Sequence, residues 1–244
     1  MNNQPATFDR LSAFLGQPVR FQDFLLYSPQ LNEIAEIGEM QYYVHYLLST
    51  FDKEKILLDL FGMDEQAFST LSSADDYEVL TESPRIASLL SEGISFFTKQ
   101  EVRYQPSQRS FYIGDSLFIS CNNYTAFAQL IKQLNGAPEL QEKRPAAFKN
   151  EKAKQLFQKL RKMRKAASEK NEALELKDIS SILCSSEGNG IHIHNVGCLT
   201  VYQIYEQFER MSLKHKRDTI LPVWANGYLK EGESLPDIMS KTNL

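Results

Sequence analysis

The chain is short of most features that would announce a chemistry or a compartment. It has three cysteines, Cys121, Cys184 and Cys198, too few and too odd in number for a disulfide framework. Glycine (11) and proline (9) are too scarce for a fibrous or low-complexity chain. Charge of either sign is nearly balanced, with 27 Lys or Arg against 31 Asp or Glu, a net −4. That balance predicts no attraction of the whole molecule to nucleic acid or to an anionic membrane. The longest run free of charged residues and of histidine, 116–131, is broken by Asn122, Asn123, Thr125 and Gln129. A membrane-crossing helix needs about 20 mostly apolar residues, so no membrane span is expected. The opening Met1-Asn2-Asn3-Gln4 has no basic start, and Asp9 and Arg10 precede any apolar stretch, so an intracellular protein without a secretory signal is expected. P-loop, G-x-S-x-G and H-E-x-x-H motifs are missing, and there is no internal repeat.

What remains is a chain of 244 residues, 42% hydrophobic, long enough to bury a core in one or two domains. Loose alternation over Val19–Tyr27 predicts a strand. Ser28-Pro29 suggests an N-cap and first-turn proline opening a helix through Ile37, with Gly38 bending the chain before an apolar stretch from Met40 to Phe51. Asp52 is placed to cap a helix over Lys53–Phe61, and Gly62–Ser73 is a connection or an irregular short helix. Asp75-Asp76 caps a short helix over Tyr77–Thr81, and Ser83-Pro84 opens one running to about Thr98. Three β-prone runs follow, Val102–Tyr104, Ser110–Ile113 and Ser116–Ile119, the last two separated by the hairpin turn Gly114-Asp115. Helix returns over Tyr124–Leu134 and stops at Asn135-Gly136. The fold class expected is mainly α (α+β), a helical protein with a small antiparallel β-meander.

The composition changes at Lys143–Lys170, which holds eleven basic residues and two acids, a net +9, leaving −13 for the remainder. Asn150 caps an amphipathic helix there, with Leu156, Phe157, Leu160 and Met163 on its apolar face. Three regions are expected: an α+β body over 1–137, a basic linker and helix over 138–172, and a helical region over 173–244. In the last, Asp178–Ser185 is helical, Gly188–Gly190 is a turn, and Thr200 with Gln203 forms a capping box for a helix over Thr200–Met211. The tail, Lys214–Leu244, carries Pro222, Trp224, Gly227 and Pro236 and is expected to be ordered but irregular.

Two groups of residues invite a function. Cys184, His192, His194 and Cys198 are ligand types that zinc accepts, but their C-x7-H-x-H-x3-C spacing lacks the close pair that bends a zinc loop. Cys184 also falls on an apolar helix face, so the structural reading is taken and no metal or other cofactor is expected. The basic helix admits a solvated face packed on the acidic body, a surface for a protein partner, or phosphate contacts to nucleic acid. Phe157, Lys159, Leu160, Arg161, Lys162 and Arg164 are its candidate partner-binding residues. No catalytic residue stands out, and no enzyme is expected.

Four stretches carry a family resemblance. Ala147–Lys154 continued by Leu160-Arg161-Lys162, Leu199–Met211, Val223-Trp224-Ala225, and Tyr27-Ser28-Pro29 with Leu31–Glu39 resemble elements of a group of tailed-phage proteins encoded among tail genes. In phages of low-GC Gram-positive bacteria this group comprises tail assembly chaperones and tail-morphogenesis proteins. The resemblance implies a non-enzymatic factor of the host cytoplasm that holds tape-measure or tail-tube protein until assembly. A nucleic-acid-binding phage protein using 143–170 and a structural virion component are the alternatives. The Cys/His group and the loop Gly188–Asn195 depart from the family pattern.

Overall fold

Several helices begin where a side chain is ready to accept from the first turn. Asp9, Asp64 and Asp75 each accept a backbone N–H two residues ahead, and so open α1 (Arg10–Phe14), α4 (Glu65–Leu71) and α5 (Asp76–Glu82). The computed structural model describes residues 8–136, 174–229 and 234–244. The remaining helices are α2 (Leu31–Ile37), α3 (Glu39–Ser49), α6 (Pro84–Thr98), α7 (Tyr124–Leu134), α8 (Leu176–Ser185) and α9 (Val201–Ala225). A hairpin of β1 (Val19–Phe21) and β2 (Phe24–Leu26) and an antiparallel meander of β3 (Val102–Gln105), β4 (Ser110–Ile113) and β5 (Ser116–Ile119) complete a mainly α, α+β protein.

The meander forms where the β-prone runs place it. Gly114 takes φ +58°, the conformation the tight turn demands, and a register shift between Phe111 and Tyr112 bends the middle strand. Gly38, at φ +89°, separates α2 from α3 as the sequence suggests.

Other elements differ from the reading by pattern. The expected strand over Val19–Tyr27 is two strands, because Gln22 at φ +55° turns the chain back on itself and pairs Phe21 with Phe24. That turn changes the parity, so Leu26 is buried with Val19 and Phe21 while Leu25, an even number of residues from both, is only half-buried. Ser28-Pro29 does not cap α2. Gln30 is the N-cap, its backbone N–H donating to Glu33 Oε2 at 2.8 Å. Asp52 does accept from Lys55 N (3.2 Å), yet 55–60 winds as a π-helix, with Phe61 N donating to Ile56 O five residues back. The helix starting at Thr200 does not end at Met211 but runs on to Ala225. The expected helix capped by Asn150 lies outside the described residues.

The core is aromatic. Phe21, Phe118 and Phe127 meet edge to face with centroids 5.6–5.8 Å apart, joining the N-terminal hairpin, the meander and α7. Such pairs contribute about 0.5–1.5 kcal/mol beyond area burial. Phe51, Tyr77 and Phe111 extend the cluster toward α5. Leu176, Val201 and Tyr202 belong to this same core, so α8 and the start of α9 are seated on it. A smaller cluster of Ile179, Leu183 and Ile204 packs α8 against α9.

Candidate partner-binding site

Helix α9 is held firmly over its first ten residues and has no buried residue over its last fourteen. The capping box forms as the sequence predicts: Gln203 N donates to Thr200 Oγ1 (3.3 Å), and Thr200 N donates to Gln203 Oε1 (2.9 Å). Its first turn is then tied to the N-terminal region. Val201 N donates to Pro29 O at 2.9 Å, Tyr202 N to Ser28 Oγ at 3.1 Å, and Leu31 N to Leu199 O at 3.1 Å. Ser28 and Pro29 thus serve a helix some 170 positions away in sequence instead of their own. Gln203 Nε2 donates to Phe14 O (2.9 Å), fixing α1 to the same turn. On the α7 side, Gly136 lies directly under the ring of Tyr205, where a β-carbon would come within 2.5 Å of Cδ2. Burial, with the nearby Glu39 carboxylate, raises the Tyr205 hydroxyl above the ordinary tyrosine range.

The C-terminal segment returns along α9 and clasps it from the other side. Arg210 Nη1 donates to Ser240 O at 2.6 Å and to Ile238 O at 3.3 Å. Glu209 accepts from the backbone and side-chain nitrogens of Asn243 (2.9 and 2.6 Å). Arg10, from α1, donates to Thr242 Oγ1 at 2.7 Å. Leu244 packs on the core.

Beyond Met211 no described residue of α9 is buried. Fourteen residues from Ser212 to Ala225 make a rod of about 21 Å at about 1.5 Å each. It carries Lys214, Lys216 and Arg217 against Asp218, whereas residues 8–136 hold nine Lys or Arg against seventeen Asp or Glu, a net −8. Its end is apolar: Leu221, Val223, Trp224 and Tyr228 are 40%, 43%, 53% and 79% exposed. Pro222 lies inside the last turn, where its missing N–H leaves the Asp218 carbonyl without its helical donor and only three helical residues follow. The terminus is built rather than frayed. Tyr228 N donates to Val223 O (3.0 Å) and Gly227 N to Trp224 O (2.9 Å), with Gly227 at φ +72°, the paired bonds of a Schellman stop. Trp224 and Tyr228 are therefore displayed from a fixed backbone.

The candidate partner-binding residues Phe157, Lys159, Leu160, Arg161, Lys162 and Arg164 lie outside the described residues. Of the Cys/His group, Cys184 is half-buried on α8 while Cys198 is exposed on the short 3₁₀ turn Val196–Cys198. His192 and His194 stand as an exposed pair with ring centroids 5.9 Å apart, and His192 Nδ1 accepts from His194 N (3.3 Å). Among the described residues no three His, Cys, Asp or Glu side chains gather closely enough to hold a metal ion. Nor, among them, is any helix long and apolar enough to cross a membrane. The exposed end of α9 escaped the sequence reading, although the lone tryptophan beside Pro222 and Gly227 was its signal.

Residues 167–243 match a family described as the YomV second domain, named for a prophage protein of Bacillus. In this stretch, just under a third of the chain, the protein is similar to a phage-associated domain family. The stretch takes in α8, all of α9 and the returning segment as far as Asn243, the residue Glu209 clasps. No curated protein and no solved structure matches the chain.

Proposed function

We propose that this protein is a phage tail-morphogenesis factor that acts without chemistry of its own, an assembly chaperone for tape-measure or tail-tube protein in the host cytoplasm. The observation that carries the reading is the end of α9, where Leu221 and Trp224, one turn apart, are exposed along with Val223 and, just past the helix stop, Tyr228. Tryptophan, tyrosine and arginine dominate the binding energy of protein interfaces, and grouped exposed apolar residues mark such surfaces. The partner would lay an apolar helix against this end while Lys214, Lys216 and Arg217 orient its acidic residues. The phage-associated similarity of 167–243 supports the setting.

Co-expression with the tape-measure and tail-tube proteins of the same phage tests it. One of them is expected to co-purify with the wild type and to be lost on Trp224→Ala combined with Leu221→Ala. Capture of neither, with all three soluble, would sink the proposal. The nucleic-acid alternative is separated by a salt titration of DNA and RNA binding. The chaperone reading expects only non-specific affinity, about 10⁻⁴–10⁻⁶ M at physiological salt.

A further inference from the structure

Helices α3 and α6 pack closely at Gly93, where a β-carbon would stand 3.0 Å from the His45 carbonyl oxygen and 3.2 Å from Leu48 Cβ. Beside this contact a cleft of about 560 Å³ opens to solvent. Gln41 and His45, one turn apart on α3, form one wall, and Ser88 and Glu92, one turn apart on α6, form the other. Glu101 stands at the end toward β3. Phe96 stacks on the His45 ring, with centroids 5.5 Å apart and planes 23° apart, so aromatic rings form part of the cleft wall.

The lining holds two carboxylates and no lysine or arginine. Glu101 is already engaged, both oxygens accepting from Arg103 at 2.8 Å. Among the described residues no cation pairs with Glu92. His45 supplies no competing charge at neutral pH. Burial holds its pKa below the ordinary histidine value, outweighing the pull of Glu92. Its Nε2 lies 3.2 Å from the Gln41 amide nitrogen, and its Nδ1 is buried without a hydrogen-bond partner.

We infer that this cleft is a receptor for an arginine side chain presented by a basic segment of a partner protein. A guanidinium has five donors in one plane. Glu92 offers the opposing charge, Gln41 and Ser88 offer neutral acceptors, and the His45–Phe96 pair offers a surface on which the plane can stack. A lysine ammonium would use the charge and could approach a ring, but it has no planar fork to stack on the rings while donating sideways to Gln41 and Ser88. The cleft is lined by no residue of α9, so the inference stands or falls separately from the partner site there.

The test follows the imidazole protons of His45 by NMR in the full chain, with His45→Gln identifying its signals among the four histidines. Triarginine is expected to shift them saturably, and tricitrulline, which has the shape without the charge, to leave them unmoved. Glu92→Gln, a change at an exposed site whose melting curve confirms folding, is expected to weaken triarginine binding by about tenfold, the loss of one charge-assisted contact. Trilysine is expected to bind more weakly than triarginine. No shift with triarginine, an equal shift with tricitrulline or trilysine, or undiminished binding by Glu92→Gln would each overturn the inference.

Discussion

Gly197 lies against Asn32 so closely that a β-carbon built on it would fall inside the Asn32 side-chain amide. The contact joins the 3₁₀ turn before α9 to α2, beside the backbone bond from Leu31 N to Leu199 O. The absence of one side chain thus decides how near the C-terminal helices sit to the N-terminal region.

Gly197→Ala is expected to destabilise the protein by no more than about 1 kcal/mol, because the atoms a β-carbon would meet are the far end of the exposed Asn32 side chain, which can rotate aside. The conformation of Gly197 is not left-handed, so a clash and not backbone strain is the cause. Urea unfolding of the single variants and of Gly197→Ala with Asn32→Ala checks this. The second change should restore part of the loss, since the two side chains share one space.

Lys53 is 5% exposed and donates through Nζ to the carbonyls of Leu71 (2.9 Å), Ser72 (3.2 Å) and Ala74, with Asp76 Oδ1 at 3.4 Å. It pins the chain between α4 and α5. Lys53→Met should cost about 3–5 kcal/mol, because the carbonyls and the carboxylate are left behind without their cation. Lys53→Arg should restore little, because a planar fork replaces a point donor serving three carbonyls. The midpoint of denaturant unfolding reads both.

Because burial lowers the His45 pKa, the unfolded chain binds the proton more readily than the folded one. Stability is therefore full above about pH 6.5, the ordinary histidine value, and declines as pH falls from there through the folded value. His45→Gln should flatten that decline below about pH 6.5. Unfolding midpoints across the series, wild type beside variant, decide it; an equal decline in both would assign the effect to other groups.

Trp224 is the sole tryptophan and is half exposed, so its emission should be red-shifted and readily quenched by acrylamide. Trp224→Ala should change stability by no more than about 0.5 kcal/mol, as is usual for a surface position. Partner binding at this end should shift the emission to the blue and protect it from quenching. A blue-shifted, protected tryptophan in the free protein would contradict the exposed end of α9.

Several elements are spelled locally. The Thr200–Gln203 box, the aspartate cap on α5, proline at the start of α6 and the Gly114 turn complete their bonds or fix their angles within a few residues. Such signals survive in sequence because the groups they satisfy are neighbours along the chain. The first half of α9 was legible for that reason, and its spacing of Val201, Ile204, Tyr205 and Phe208 faces the packed side. The second half was not. Pro222 and Gly227 suggest irregularity, and only the run of backbone bonds shows one to be tolerated in a last turn and the other to end the helix.

Tertiary structure alone decided where long-range partners fall. Ser28-Pro29 has the letters of a helix cap, but its oxygens accept from α9, and Gln30 takes the cap position. Lys53 has the letters of a solvated first-turn lysine, yet it is buried by carbonyls about twenty residues ahead. The cleft beside Gly93 joins side chains about fifty positions apart on two helices, and no period within either helix encodes that meeting. Local hydrogen bonds and apolar stripes determine which segments become helix or strand. Which polar groups end up buried together, and which apolar ones stay in water, is set by how the finished elements pack, and that is where the candidate sites of this protein arise.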